Sequence, residues 1–231
     1  MKKAAVLFGS IGSIVESSDI QRRAYNQALR EAGLNWEWDR DTYAELLTQA
    51  GGKERLAMLA AATATQLTPD QIEHIHARKT ELACAEVSSG AVALRAGVSE
   101  LIKLAKSRAM KVAFVTTTYQ PNIDAIFKGL AGQLSASDFD HIVSRDDVKN
   151  GKPAPDAYLS ALAALGIEAA LAVAIEDTAT SVMSAKRAGM AVIATPGEIT
   201  SGQDFWQADL VLSQLADPHA NLDPRVVGLL G

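Results

Sequence analysis

The sequence predicts an α/β fold in which a Rossmann-like parallel sheet forms the core and an all-helical cap is inserted. From residue 97 onward, apolar runs of strand length alternate with amphipathic helical segments, a pattern typical of parallel sheets covered on both faces. Residues 4–8 form a further apolar run, whereas residues 16–90 show no strand pattern. We therefore expect a core made of residues 1–15 and 91–231 and a cap made of residues 16–90.

Helical spacing and end signals predict four helices in the cap. They are expected over residues 19–32, 41–50 and 53–62, and from 69 towards 87. Thr68-Pro69-Asp70-Gln71 is a capping box with proline at the first helical position, which favours a helix start. Gly33 is expected to end the first of these helices, because glycine adopts the backbone conformation needed just past a helix.

The core is predicted to alternate helices and strands in the order of the chain. Helices are expected over residues 98–108, 121–130, 155–165 and 178–188. Strands are expected over residues 111–116, 141–144, 171–175, 191–194 and 209–212. The tail from residue 217 has weak periodicity, and no element is predicted there.

Composition excludes several classes of function. The net charge of −5 leaves no excess of cations to neutralise nucleic-acid phosphates. The single cysteine, Cys84, excludes an internal disulfide and suits a reducing compartment. No apolar run is long enough for a signal peptide or a membrane span. We therefore expect a cytoplasmic protein without nucleic-acid or membrane partners.

The loop after the first strand lies where ligands bind in α/β proteins. Between Phe8 and Val15 it carries no carboxylate, imidazole or thiol. It offers only backbone groups and the hydroxyls of Ser10 and Ser13. A ligand-binding loop and an ordinary strand-to-helix turn both remain open.

Two further strand ends carry polar groups. Thr116 and Thr117 precede a helix, where amides and a hydroxyl can hold an anion or simply cap the helix. Glu176 and Asp177 could hold Mg²⁺, which prefers a few carboxylates plus waters. Alternatively, Asp177 caps the helix that follows.

The remaining candidate site residues are two groups of cationic side chains. Lys152 lies in a proline-rich turn that would hold it still at low entropic cost, although a solvated lysine is the alternative. Lys53 and Arg55 follow the Gly51-Gly52 pair in the first turn of a helix. Cations there oppose the helix dipole at about 0.3–1 kcal/mol each when exposed. An anion opposite them would explain this cost, and a solvated helix start is the alternative.

Taken in order, these motifs resemble those of the haloacid dehalogenase (HAD) superfamily of phosphatases. Residues 38–43, 51–55 and 152–158 are similar to the CbbY group, which comprises sugar-phosphate phosphatases, including those acting on xylulose-1,5-bisphosphate. The resemblance implies a helical cap over a Rossmann-like core, Mg²⁺ dependence and phosphoryl transfer through an aspartyl-phosphate.

The resemblance also implies roles for particular residues. The phosphoryl group would be bound at Thr116 and Thr117 and neutralised by Lys152. Glu176 and Asp177 would hold Mg²⁺. The anionic groups of the substrate would meet the cap at Gly52, Lys53 and Arg55.

The first motif departs from the family pattern. Where the family reads Phe-Asp-x-Asp-Gly-Thr, this chain reads Phe8-Gly9-Ser10-Ile11-Gly12-Ser13. The nucleophile position is therefore Gly9 and the acid/base position is Ile11, and neither side chain can do its task. No catalytic residue is assigned. We expect weaker Mg²⁺ binding, because two carboxylates are missing, while anion binding is retained.

The sequence therefore predicts a non-catalytic member of this scaffold. Its partner would be a small phosphorylated molecule such as a sugar phosphate, or another protein. The alternative is an active Mg²⁺-dependent phosphohydrolase that acts on a small sugar phosphate through a non-standard group. A monomer is expected, with a dimer as the alternative.

Overall fold

The structure is a computed structural model that describes residues 2–49 and 51–231. Its strands are β1 Ala5–Phe8, β2 Lys111–Val115, β3 His141–Val143, β4 Ala172–Glu176, β5 Ala191–Ala194 and β6 Leu210–Val211. They form one parallel sheet in the order β3-β2-β1-β4-β5-β6. The first strand lies at the centre, so the predicted α/β fold with a Rossmann-like sheet is confirmed.

Helices surround this sheet and form the insertion. They are α1 Ile11–Ile14, α2 Ser18–Glu31, α3 Arg40–Leu46, α4 Gly52–Ala62, α5 Pro69–Glu86, α6 Val98–Ser107, α7 Gln120–Gly129, α8 Asp156–Leu165, α9 Ala179–Arg187 and α10 Pro224–Leu230. A π-helical turn, Val87–Ala91, follows α5. In the described part of residues 16–90 there are helices and no strand.

The two faces of the sheet differ because neighbouring side chains in a strand point to opposite sides. One face carries bulky residues such as Phe8, Phe114 and Ile175, which pack against α6, α7 and α10. The other face is rich in alanine, including Ala113 and Ala174, and packs against α8 and α9. Small side chains let these two helices approach the carboxyl ends of the strands.

The inserted helices have a hydrophobic cluster largely of their own. Tyr25, Trp38 and Tyr43 are almost completely buried there, and the rings of Tyr25 and Trp38 lie 4.6 Å apart between centroids. The Asn26 amide donates to the carbonyl of Trp38 at 2.9 Å and accepts from its N–H at 2.8 Å. This cluster supports the division at residues 16–90, which stays a prediction.

The two segments that connect the sheet to the inserted helices, one on each side of the insertion, lie side by side. Val15 and Leu94 form an antiparallel bridge. The Arg95 guanidinium donates to four backbone carbonyls, those of Gly12, Thr195, Pro196 and Ser213, at 2.5–3.2 Å. The loop after β1 is therefore tied to the segments that follow β5 and β6.

Most element boundaries agree with the sequence predictions, and two differ. α3 ends at Leu46, although a helix was expected to residue 50, because the N–H and hydroxyl of Thr48 both bond the carbonyl of Glu45; Ala50 lies outside the described residues. In the tail, the sequence predicts nothing, but Asp223 caps α10 by accepting from the Arg225 N–H at 2.8 Å. No helix in the described ranges has the length and apolar character that crossing a bilayer requires.

We predict that Phe114→Ala lowers the free energy of unfolding by about 3–5 kcal/mol, because it leaves a cavity in a fully buried face of the sheet. Chemical denaturation measures this loss. Leu159→Ala is the control, since Leu159 is 49% exposed and should change stability by under about 0.5 kcal/mol. Equal effects of the two substitutions would contradict the assignment of the core.

Candidate functional site

A cavity of about 480 Å³ lies between the carboxyl ends of the strands and the inserted helices. The residues that the sequence singled out and that line it include Ser10, Ile11, Gly51, Gly52, Lys53, Arg55, Thr116, Thr117, Lys152 and Asp177. Gly9 and Glu176 lie behind its wall. The fold therefore brings together residues that are far apart in the sequence.

The Lys152 ammonium group joins the ends of three strands. It donates to the carbonyl of Gly9, just past β1. It also donates to the carbonyl of Val115 at 3.3 Å and to Glu176 Oε1 at 2.6 Å. Lys152 is 6% exposed, so the solvated-lysine alternative does not hold. Lys152 is instead buried where the carboxyl ends of β1, β2 and β4 meet, and its hydrogen bonds connect them.

Glu176 is completely buried and does not line the cavity. Its Oε1 accepts from Lys152 and from the Tyr158 hydroxyl, the latter at 2.5 Å. Burial, together with the negative charge of Glu176, raises the pKa of the Tyr158 hydroxyl. A Cβ atom at Gly9 would overlap Tyr158 Oη and Glu176 Oε1. The space beside Gly9 is thus filled by these two side chains.

Asp177 does line the cavity, and it is 7% exposed. Its Oδ1 accepts from the Ser10 hydroxyl at 2.6 Å. Burial and then the negative charge of Glu176 raise the pKa of Asp177 to about 6, although the Ser10 hydrogen bond lowers it. The cap of α9 is Thr178, whose side chain accepts from the Ser181 N–H. The alternative that Asp177 caps this helix is therefore wrong.

Thr116 and Thr117 lie at the end of β2, where the cavity meets the start of α7. Thr116 is 4% exposed, and its hydroxyl accepts from the Thr118 N–H at 3.2 Å. The residue that caps α7 is Tyr119. Thr116 therefore shapes the loop and does not cap the helix.

On the cap side, Gly52, Lys53 and Arg55 begin α4 as predicted. The Lys53 ammonium pairs with Glu73 and lies 5.5 Å from the centroid of the Tyr119 ring across the cavity. Arg55 Nε donates to the carbonyl of Gln49 at 2.9 Å. Within the described residues, no carboxylate lies in ion-pair contact with Arg55. Arg55 therefore lines the cavity without an ion-pair partner in the part of the chain that the structure describes.

The cavity-lining residues that the sequence analysis did not single out include Tyr25, His76 and Lys79. Lys79 is 8% exposed, and its ammonium lies 4.8 Å from the centroid of the Tyr25 ring. No carboxylate in the described part of the chain pairs with it. The Tyr25 hydroxyl, also buried, has no hydrogen-bond partner there.

A signal for Lys79 was present in the sequence. Ile75, Lys79 and Ala83 are the buried residues of α5, spaced four apart, so a charged residue lies on an apolar stripe. Burial, followed by the positive charge of Arg55, lowers the pKa of Lys79 to about 7. Burial and the charge of Lys79 lower the pKa of His76 to about 4. The cap side of the cavity therefore holds Arg55 and Lys79 without ion-pair partners among the described residues, and the Glu54 carboxylate also lines it.

The residues present do not fit the Mg²⁺ site that the resemblance implies. Mg²⁺ is bound by carboxylates and waters at about 2.0–2.1 Å, but the Lys152 ammonium already lies on the accepting oxygen of Glu176. One oxygen of Asp177 is bonded to Ser10. Among the residues described, no group of three His, Cys, Asp or Glu side chains is placed to hold a metal ion.

Comparison with known proteins shows which family the chain belongs to. The haloacid dehalogenase-like hydrolase family matches residues 4–189. CbbY from Cereibacter sphaeroides is 38% identical over 213 residues, which are 92% of this chain and 93% of that protein. Hexitol phosphatase A from Escherichia coli is 31% identical over 231 residues, 97% of each. The relatives thus match the chain over nearly its whole length.

Solved structures give the same result. CbbY from Rhodobacter sphaeroides in complex with phosphate has a TM-score of 0.84 at 38% identity, covering 92% of this chain and 94% of that one. A CbbY variant from the same organism in complex with xylulose-(1,5)bisphosphate has a TM-score of 0.85 at 36% identity, covering 96% and 99%. This chain therefore shares its fold with CbbY. One of the two CbbY structures contains phosphate, and the other contains a sugar bisphosphate.

We predict that the wild-type protein gains stability relative to Lys79→Met as the pH rises from 7 to 10. The pKa of Lys79 is lower in the folded chain, about 7, than its ordinary value of 10.5. Below pH 7 both states are protonated, and folding bears the full cost of the buried charge. Above pH 7 the folded state binds fewer protons, so this cost declines by up to about 1.4 kcal/mol per pH unit.

Urea denaturation of both proteins across this pH range measures the effect. Lys103→Met is the matched control, because Lys103 is exposed and should show no such change. A difference between wild type and Lys79→Met that is the same at pH 6 and pH 10 would contradict the burial of the charge.

Proposed function

Because the chain belongs to the haloacid dehalogenase-like hydrolase family, we propose that its cavity binds a small phosphorylated molecule, a sugar phosphate in class, without hydrolysing it. The observation that carries this proposal is that Arg55 and Lys79, neither of which is in an ion pair within the described residues, line a cavity whose other wall carries Lys152. Cations buried without counter-ions are costly. A dianionic ligand would offset that cost.

The two walls would share the ligand. At the core wall, Thr116, Thr117 and Lys152 surround the position that the resemblance gives to the phosphoryl group. At the cap wall, Arg55 and Lys79 face a second anionic group, or hydroxyls that the Tyr25 hydroxyl could bond. Charge-assisted hydrogen bonds of this kind are about twice as strong as neutral ones.

The chain supplies no residue to accept the phosphoryl group at the usual position. Gly9 has no side chain, and the space beside it is filled by Tyr158 and Glu176. Ile11 has no proton to give or take. Catalytic groups that act together lose nearly all activity when one is missing, on the order of 10⁶ in kcat for one protease triad. Binding without turnover follows.

Two structures of one relative, CbbY from Rhodobacter sphaeroides, support the class of ligand. One CbbY structure contains phosphate and another contains xylulose-(1,5)bisphosphate. We propose a similar ligand for this chain, together with the core and cap division at residues 16–90. A cytoplasmic monomer, with a dimer as the alternative, belongs to the same proposal.

We predict that inorganic phosphate and xylulose-1,5-bisphosphate bind to the wild-type protein in calorimetric titrations. Lys79→Met should weaken the bisphosphate by roughly tenfold or more, because it removes a charge-assisted contact worth about 1.5–3 kcal/mol. It should weaken inorganic phosphate less, since one phosphate can occupy the core wall alone. Lys103→Met should change neither affinity.

The binding proposal fails if neither ligand binds, or if Lys79→Met and Lys103→Met give the same affinities. Salt dependence gives an additional check, because anion binding to the two walls should weaken as ionic strength rises.

One observation favours a second candidate function, phosphate hydrolysis through a serine. The Ser10 hydroxyl and the Asp177 carboxylate line the cavity and are hydrogen-bonded at 2.6 Å. A serine attacks only when a base beside it takes its proton, and Asp177 could do so. The direction of Ser10 also differs from that of position 9, where a side chain would point at Tyr158 and Glu176.

A panel of sugar phosphates, with and without Mg²⁺, distinguishes the two functions. We predict turnover far below about 1 s⁻¹, the lower end of typical enzymes. Turnover above that rate, abolished by Ser10→Ala and unaffected by Ser137→Ala, would establish the serine route and contradict the binding proposal. Ser137 is exposed and does not line the cavity.

A further inference from the structure

The space beside Gly9 is occupied by functional groups from other parts of the chain. A Cβ atom there would overlap Tyr158 Oη and both Oε1 and the carboxyl carbon of Glu176. The carboxylate of Glu176 thus lies where a side chain at position 9 would begin. A glycine is required for this arrangement.

The Glu176 carboxylate forms a buried ion pair with Lys152. The Lys152 ammonium is 2.6 Å from Glu176 Oε1, and the side chains of the two residues are 4% and 0% exposed. Removing one partner of a buried ion pair leaves an uncompensated charge in a medium of low dielectric. With no carboxylate at position 9, Glu176 is the group that balances Lys152 in the described structure.

The same arrangement already engages one oxygen of Glu176. Its Oε1 receives two hydrogen bonds, from Lys152 and Tyr158, while its Oε2 is buried without a hydrogen-bond partner in the described structure, and Glu176 does not line the cavity. A divalent ion at Oε1 would have to displace the Lys152 ammonium. Among the described residues, Asp177 is then the carboxylate that lines the cavity at this edge of the sheet, and Ser10 already donates to it.

We propose that Glu176 serves as the buried counter-ion of Lys152 in the space that Gly9 leaves, and that the site consequently holds its anion without a divalent cation. The second part deepens the proposed function, since it states how the same site binds phosphate. The first part concerns the protein alone and can be tested in the absence of any ligand.

Thermal unfolding in EDTA tests the first part. Glu176→Gln keeps the shape of the side chain and removes its charge. A counter-ion role predicts a melting temperature lower by about 6–15 °C, because Lys152 loses its partner. A metal-ligand role predicts the opposite, since neutralising one of two adjacent carboxylates relieves repulsion in metal-free protein. Glu37→Gln, at an exposed position, is the matched control and should leave the melting temperature unchanged.

A higher or unchanged melting temperature for Glu176→Gln would overturn the proposal. A lower one, together with an unchanged value for Glu37→Gln, supports it. The outcome does not depend on whether phosphate binds.

A second pair of variants tests whether the space beside Gly9 is filled. Gly9→Ala should lower the melting temperature by about 3–8 °C, because the added methyl group has no room. The loss should be smaller when Gly9→Ala is introduced into a Tyr158→Phe background. Gly202→Ala is the control, since no atom lies near its added Cβ. An unchanged melting temperature for Gly9→Ala would overturn the proposal.

The second part is tested by titrating inorganic phosphate in Mg²⁺ and in EDTA. We expect dissociation constants within about twofold of each other and no effect of Mg²⁺ alone on the melting temperature. Binding that is more than about tenfold tighter in Mg²⁺, or a rise in melting temperature with Mg²⁺ alone, would overturn it. If phosphate fails to bind in both buffers, the proposed function fails, while the two sets of stability measurements still decide the role of Glu176.

Discussion

The buried ion pair between Lys152 and Glu176 is the constraint on which the core side of the site depends. Lys152 also bonds the carbonyls of Gly9 and Val115, so one ammonium group holds the carboxyl ends of β1, β2 and β4 together. A buried ammonium needs both a counter-ion and hydrogen bonds to be tolerated. Since position 9 supplies no carboxylate, these requirements fix the direction of Glu176. We propose that the site is unsuited to a divalent cation for that reason.

Charge is distributed unevenly between the two walls of the cavity. On the core wall, Lys152 is paired with Glu176, and the Asp177 carboxylate also lines the cavity. The cap wall carries Arg55 and Lys79 without carboxylate partners in the described residues, and Lys53 with one. An anionic ligand would therefore be attracted mainly to the cap and positioned by the core. Such a cavity is suited to holding a phosphorylated molecule, whereas the groups needed to break a phosphate ester at Gly9 and Ile11 are missing.

The sequence predicted the fold well because apolar periodicity reports directly on burial. It placed all six strands of the described sheet and the helices between them, and glycines and caps located most ends. The site was predicted less completely, for a physical reason. Strand ends show which residues lie at one edge of a sheet but do not show where their side chains point, so Glu176 and Asp177 could not be told apart. Lys79 was missed although a charge on an apolar helix stripe is a usable signal.

The most direct test of this account is a crystal structure of the protein grown with phosphate and Mn²⁺, with anomalous diffraction used to locate the metal. Mn²⁺ binds the same oxygen ligands as Mg²⁺ and can be identified without ambiguity. We predict phosphate beside Thr116 and Lys152, an intact Lys152–Glu176 pair and no anomalous peak at Asp177. A peak with Glu176 among its ligands would contradict the account.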